Sequence, residues 1–583
     1  MATKATNGPA ADSGRPGTRE LVARRIDQAL GRMPADLVIK GARLLDFATG
    51  DLRAGDIAIT GERIVGTYDT YDGTREIDGR GLVAVPGFID SHVHCESTLV
   101  SPLEFDRCVL PRGTTTAICD PHEICNVLGE AGLGYFLACA ERTALDLYVQ
   151  LSSCVPATPL ETSGARLTAA DLVRHRAHPR VLGLAEFMNY PGLLAKDPEV
   201  LDKLAAFDGA HIDGHAPLLS GRALNAYLAC GIRNCHESTG LGEAREKLAK
   251  GMQVLIREGS VSKDVDALAP LITADSSSFL GFCSDDRNPL DIAEQGHIDY
   301  LIRRAIAGGA PAPHVYRAAS WSAARGFGLR DRGLVAPGWR ADIVLLEDVE
   351  SCAVRQVIRA GRPVEPAIFE ERGRVDAVGF RSIHLDPVEA ADFATPAGGP
   401  TGPVIGLRPG QIITDFLTLT LPWQAGLRGA DVGQDVLKVA VLSRHGVNRN
   451  IGRGFVKGFG LPDGALASSV GHDSHNVCVV GANDADMAVA VNRLIALQGG
   501  FVVVRGGAVV AELALPIAGL MSPLPFEVVA GALAGLRRAI RGLGCPLAEP
   551  LLQLAFLPLP VIPRLKITDR GLVDVERFEL IAA

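Results

Sequence analysis

The residues best equipped for chemistry begin where an apolar run, Pro86-Gly87-Phe88-Ile89, gives way to Asp90-Ser91-His92-Val93-His94-Cys95-Glu96. Residues two apart on an extended strand project to the same side, so His92 and His94 can offer both imidazoles to one metal ion. The same device, a strand-like run ending in polar groups, recurs downstream. Thr114 to Cys119 leads into Asp120, His122 and Glu123, and Val181 to Ala185 leads into Glu186. Short runs opening at Ile212 and Ile232 end in His215 and His236, and Phe279 to Cys283 leads into Asp285 and Asp286. An isolated buried carboxylate is costly unless it is paired or bound to a cation, so Glu186 needs a partner. A lone histidine at a run's end is more often a satisfied core residue. Two at successive ends, downstream of His-X-His and Glu186, point to metal ligation.

The elements that must position these groups follow from the pattern between them. From about Pro86 to Gly326, strand-like runs alternate with helix-like runs, as βαβ units do, over a length that suits a (β/α)8 barrel. Active sites of such barrels lie at the C-terminal ends of the strands, where each polar group falls. Before the barrel, short β-rich pieces with turns between them (Leu37-Val38-Ile39, Asp56 to Ile59, Arg63-Ile64-Val65, Leu82 to Val85) predict a small antiparallel sheet. A matching piece returns at Gly333 to Leu346 and Val354 to Ile358. Residues 1–34 read as a disordered tail followed by one helix, Arg19 to Arg32. Beyond about residue 374, Val436 to Leu442, Asn476 to Gly481 and Gly500 to Val504 read as strands, with a helix over Asp484 to Leu497.

The stretch Pro86 to Ser97 resembles the first-strand motif of the amidohydrolase superfamily, metal-dependent hydrolases on a TIM-like barrel. His215 and His236 match its fifth- and sixth-strand ligand positions, and Asp285 its last-strand aspartate. Many binuclear members carry a carboxylated lysine where this chain has Glu186. The motifs DSHVHCEST, DPHEICNVLG, AEFMNYPG, DGHAP, CHES and SDDR, with the long C-terminal region, resemble the bacterial adenine deaminase family more closely. That resemblance implies hydrolysis of adenine to hypoxanthine and ammonia in purine salvage. It implies a discontinuous β-sandwich (residues 35–85 and 326–373), a barrel (86–325) and an additional C-terminal α/β domain (374–583).

The expected metal ligands are His92, His94, Glu186, His215, His236 and Asp285. Imidazole and carboxylate without cysteine suit Fe, Mn or Zn, and the resemblance favours two ions of Mn or Fe. Such an ion lowers the pKa of bound water toward about 7 and supplies hydroxide. Asp285 is the expected proton acceptor, with His236 next in line, and Glu123 or His122 the donor to purine N1. Asp120, His122, Glu123 and Asp286 are the expected substrate contacts, although Asp286 could equally cap a helix. The polar stretch Ser468 to Asn476 is metal-like in composition but also suits tight, hydrogen-bonded turns.

Other classes fit less well. A net charge of -9 argues against a general nucleic-acid or anionic-membrane binder and favours a small substrate. The first twenty residues lack an apolar core, so a cytoplasmic protein is expected, as a homo-oligomer with a dimer favoured. Twelve scattered cysteines then read as thiols. Phe501 to Leu536, the longest apolar region, is broken by charges and prolines and reads as soluble core. A hydantoinase- or dihydroorotase-type cyclic amidase would be expected to carry lysine in place of Glu186, and a non-catalytic scaffold would have lost ligands. His94-Cys95-Glu96 fits the H-x-E of the unrelated zinc deaminases, but no P-C-x-x-C follows.

Overall fold

Parallel strands carry the site. In the computed structural model, which describes residues 17–583, β1 (Phe88–Val93), β2 (Thr114–Cys119), β3 (Asp146–Leu151), β4 (Val181–Phe187) and β5 (His211–Gly214) pair in one arc. β6 (Asn234–Cys235), β7 (Gln253–Arg257) and β8 (Leu280–Cys283) form a second arc. The arcs meet at both ends. Arg233 N–H donates to the Ile212 carbonyl (3.2 Å) between β5 and β6. At the other seam Asp285 N–H donates to the His92 carbonyl (3.0 Å) and His94 N–H to the Asp285 carbonyl (3.3 Å). Helices such as Glu130–Ala140, Pro198–Ala206 and Leu241–Ala249 connect the strands, giving a TIM-like arrangement.

Every residue of β1 and β2 is buried, so neither strand shows the alternation of a sheet with one face in solvent. One glycine sets a close approach near the site: a Cβ on Gly183 would lie 1.9 Å from the His211 carbonyl oxygen, so only glycine lets β4 and β5 pair where they carry Glu186 and His215. The last strand ends in backbone strain. Asp285 has φ +52°, a region sparsely populated by residues with a side chain, held by its hydrogen bonds to β1.

The β-rich pieces before the barrel join those after it in one sheet, because Val83–Pro86 pairs antiparallel with Ile343–Leu346. This sheet is mixed, not antiparallel as expected: Ala35–Leu45 runs parallel to both Gly73–Asp78 and Val83–Pro86. A second large sheet holds the C-terminal strands, among them Val436–Leu442, Val477–Gly481 and Gly500–Arg505, with helix Asp484–Leu497 packed against it. The C-terminal region shares the barrel's core, since Leu515, Leu520, Val529 and Leu533 belong to the same buried cluster as Leu99, Val100 and Phe105. Ser522 N–H closes that contact on the Leu99 carbonyl (2.8 Å).

Helix Thr18–Ala29 stands where the N-terminal helix was predicted, and the tail expected before it lies, up to residue 16, outside the described residues. All twelve cysteines are thiols. Among the described residues no helix is long and apolar enough to cross a membrane.

Candidate functional site

The strand ends converge on Glu186, the penultimate residue of β4. Its Oε1 lies 3.4 Å from His94 Nε2, 3.7 Å from His92 Nε2 and 3.5 Å from His122 Nδ1. Its Oε2 faces a different pair, 2.6 Å from His215 Nδ1 and 3.3 Å from His236 Nε2. Asp285 Oδ1 closes the first group at 3.1 Å from His94 Nε2 and 3.6 Å from His92 Nε2. His92 and His94 aim their Nε2 atoms at each other across 3.1 Å, as the two-residue spacing on β1 predicts. The ring of His92 stacks on that of His236, with centres 4.1 Å apart.

A buried polar frame fixes these groups. Asp90, also on β1, accepts from Ser284 N–H (3.0 Å) and Ser284 Oγ (2.5 Å) and lies 3.0 Å from His297 Nε2. β1 is thereby tied to β8 beneath the ligand histidines. Arg257, the last residue of β7, is fully buried and grips Asp285 Oδ2 (3.0 Å), Asp264 (3.0 Å) and Glu237, which itself lies 3.5 Å from His236 Nε2. His122 Nδ1 pairs with Asp120 Oδ2 (3.1 Å), and Asp120 Oδ1 accepts from Ser152 Oγ (3.0 Å).

The electrostatics of the cluster mark it as a cation site. Burial alone would push the acids up and the imidazoles down. Burial is outweighed at Glu186, which His215 and His236 hold well below the carboxylate range, and at Asp285, held down by His92, His94 and Arg257. The same acids outweigh burial at His92 and His94, and Glu237 with Glu186 does so at His215, pushing these imidazoles up, while His236 goes down because burial is joined by the facing His92. Acids balanced largely by protons on imidazoles form a donor set that a divalent cation can hold in the protons' place. His215 Nε2, His236 Nδ1 and His122 Nε2 are buried with no hydrogen-bond partner. These residues fit a metal centre.

Comparison with known proteins agrees with this chemistry. Residues 83–364 match the amidohydrolase family, and residues 411–579 match the adenine deaminase C-terminal domain. An adenine deaminase of Methylobacterium nodulans is 64% identical over 561 residues, covering 96% of this chain and 99% of the relative. One from Gluconobacter oxydans is 61% identical, covering 97% of this chain and all of the relative. The chain belongs to the adenine deaminase family. Among solved structures, a zinc-bound adenosine deaminase from Xanthomonas campestris is 15% identical with a TM-score of 0.43, covering 58% of this chain and 97% of its own.

Within this adenine deaminase family member, all six residues expected as ligands stand together, and His122 joins them. His122 and Asp286 line the cavity in front of the set, whereas Asp120 and Glu123 do not. Asp120 sits behind His122. Glu123 lies in the first turn of helix His122–Leu128, where its Oε1 lies 3.2 Å from Ser97 Oγ and 3.5 Å from His472 Nδ1. The polar loop read after β2 is thus a helix N-terminus. Arg257 and Glu237 were missed in the sequence reading. The run Val254-Leu255-Ile256 before Arg257 is the signal that could have found the seventh strand. The C-terminal stretch supplies His472 and Asp473 to the cavity lining.

Proposed function

We propose that this chain hydrolyses adenine to hypoxanthine and ammonia in purine salvage, acting as a hydrolase of C–N bonds. The observation that carries the reading is Glu186, whose two oxygens face two separate groups of imidazoles at the strand ends of a chain from the adenine deaminase family. The cyclic-amidase alternative is not favoured, since the relatives are adenine deaminases. The test is ammonia release from adenine by protein of assayed metal content, alongside hydantoin and dihydroorotate. Turnover of adenine alone is expected. Hydrolysis of a cyclic amide with adenine inert would overturn the reading.

In this reading His92, His94 and Asp285 would hold one divalent ion and His215 and His236 a second, with Glu186 shared. Mn or Fe suits that donor set, and Zn fits it as well. When bound, such ions supply Lewis acidity and bring the ionisation of water into the neutral range. Asp285 accepts the proton released as water oxygen bonds to C6, then returns it to the exocyclic amine as the C–N bond breaks and ammonia leaves, and the remaining hydroxyl proton restores the N1 donor as the C6 carbonyl forms. Arg257 on Oδ2 and the strained backbone keep Oδ1 aimed at the ligands. N1 must gain a proton or a strong hydrogen bond as C6 is attacked. The two candidate donors are His122, which lines the cavity with Asp120 on its Nδ1, and Glu123, which stands behind it. Asp286 lines the same cavity and accepts from Ser97 Oγ (2.5 Å), which supports a substrate contact.

The domain division proposed is a discontinuous β domain (35–85 with 326–373), the barrel (86–325) and a C-terminal α/β domain (374–583). The pairing of Val83–Pro86 with Ile343–Leu346 supports the first.

A further inference from the structure

The ligand set comes from the barrel alone, but one wall of the cavity before it does not. Ile412, His472, Asp473, Phe556 and Leu559 line that wall. His472 lies flat on Phe556, ring centres 4.4 Å apart and planes 7° from parallel. Such a pair gives the planar, mostly apolar side that a fused heteroaromatic ring requires.

Within this wall Asp473 is anomalous. Its side chain is buried, its Oδ1 lies 3.6 Å from His122 Nε2 and 3.7 Å from His472 Nδ1, and its Oδ2 has no hydrogen-bond partner. A buried carboxylate oxygen without a donor is costly, so the site is incomplete until a ligand brings one. The neighbouring histidines do not make this a further metal site. His475 Nδ1 accepts from Gly471 N–H (3.2 Å), which puts the ring's proton on the nitrogen facing Glu123 and leaves no lone pair there.

We infer that Asp473 selects the free base: its open oxygen accepts the ring N–H carried at N9 or N7 of a purine. The inference rests on the adenine reading above. His122 spans the interval, its Nδ1 3.5 Å from Glu186 and its Nε2 3.6 Å from Asp473, so Asp473 stands one imidazole ring beyond the ligands. With C6 at the ligands, the imidazole half of the purine extends toward Asp473. A nucleoside or a base methylated at N7 or N9 has no ring N–H, leaves the carboxylate unpaired and puts carbon against it.

The experiment compares kcat/KM for adenine, 7-methyladenine and 9-methyladenine on the wild type, D473A and D473N, each with assayed metal content. The wild type should prefer adenine over either methylated base by at least about a thousandfold, as sites built to hydrogen-bond an N–H do. D473A should lose about a hundredfold on adenine with metal content unchanged, and its preference should collapse to within about tenfold. D473N, whose amide oxygen still accepts, should fall between. A D473A enzyme that keeps the wild-type preference overturns the inference. So does a wild type that takes the methylated bases as readily as adenine, a comparison that needs no folded variant. Metal-loaded wild type that releases no ammonia from adenine fails the parent reading instead, and this inference falls with it.

Discussion

The barrel buries a cluster of charges at each end, and the two are built in opposite ways. At the base, Asp146 at the start of β3 meets Arg180 (2.8 Å), Arg332 (2.5 Å), Arg359 (2.8 Å) and Arg340 (3.6 Å). Asp342 takes a second contact from Arg359 (3.4 Å) and Arg340 (3.3 Å), and Asp331 one from Arg332 (2.9 Å). Burial would raise the Asp146 carboxyl, yet the guanidinium groups hold it far below its ordinary range. Each charge there faces an opposite one supplied by the protein. At the mouth, imidazole nitrogens point at one another and several have no partner. Buried charge is common to both ends, so burial does not mark function. Acids facing arginines mark a joint, here between the barrel and the chain that follows it, even where Arg340 Nε, Asp342 Oδ2 and Arg359 Nε lack a hydrogen bond, and acids shared among imidazoles mark a place for a ligand.

Substitutions can break this contrast. Glu186→Gln removes the charge that both imidazole groups share. Metal content should drop below one ion per chain and adenine turnover by at least about a thousandfold, with the fold retained. Elemental analysis beside the ammonia assay measures both, and two retained ions would end the shared-ligand role. Asp146→Asn should do the reverse. It strands arginines without their acid and should destabilise by about 3 kcal/mol, read by denaturant unfolding, while metal content and turnover per folded molecule stay near those of the parent. Lost metal in that variant would mean the two ends are not independent.

The mouth was more legible in the sequence than the base, for a physical reason. His92 and His94 declare themselves through the period of a strand, and Glu186 through the cost of a lone acid in an apolar run. Neither needs knowledge of a distant partner. The lattice at the base depends on pairing Asp146 with Arg332, Arg340 and Arg359, contacts that no local period encodes. Arg257 escaped for a similar reason: at the end of a short apolar run it resembles a strand terminus in solvent, and only the tertiary fold brings Asp285 and Glu237 to it. β6, only two residues long, left His236 to be found by its matched position rather than by periodicity. The C-terminal wall was the least legible. Gly, Ser, Asp and His build turns and binding sites alike, and the decision rests on which barrel residues lie opposite.

The last expected effect separates the two ends by pH. Glu161 is buried behind the mouth, where Ser474 Oγ donates to its Oε2 (2.7 Å) and Thr158 Oγ1 to its Oε1 (3.3 Å). Burial, and then the negative charge of Asp473, push its carboxyl up to about 8. In the unfolded chain a glutamate loses its proton near pH 4.3, roughly the free value. The folded state therefore binds the extra proton between about pH 4.3 and 8, and its contribution to stability is full below that window and lost as pH rises through it. The slope is at most about 1.4 kcal/mol per pH unit. Asp146 acts the other way and elsewhere: its depressed carboxyl contributes fully above about pH 4 and is lost only in stronger acid, so the base is silent across the neutral range. Glu549, raised to about 7 by burial, adds a slope of the same sign as Glu161. Lys566, pushed down to about 7 by burial, adds one of opposite sign, with stability rising from about pH 7 toward 10. Glu161→Gln keeps the size of the side chain and an acceptor for Ser474 but carries no proton to lose. Thermal midpoints from pH 5 to 8 should then fall less steeply than the parent's, with the remaining slope shared by Glu549 and by Glu96, which burial also raises to about 7. An unchanged slope would show that Glu161 stays ionised across the range, and that the acids around the C-terminal wall are better paired than their geometry allows.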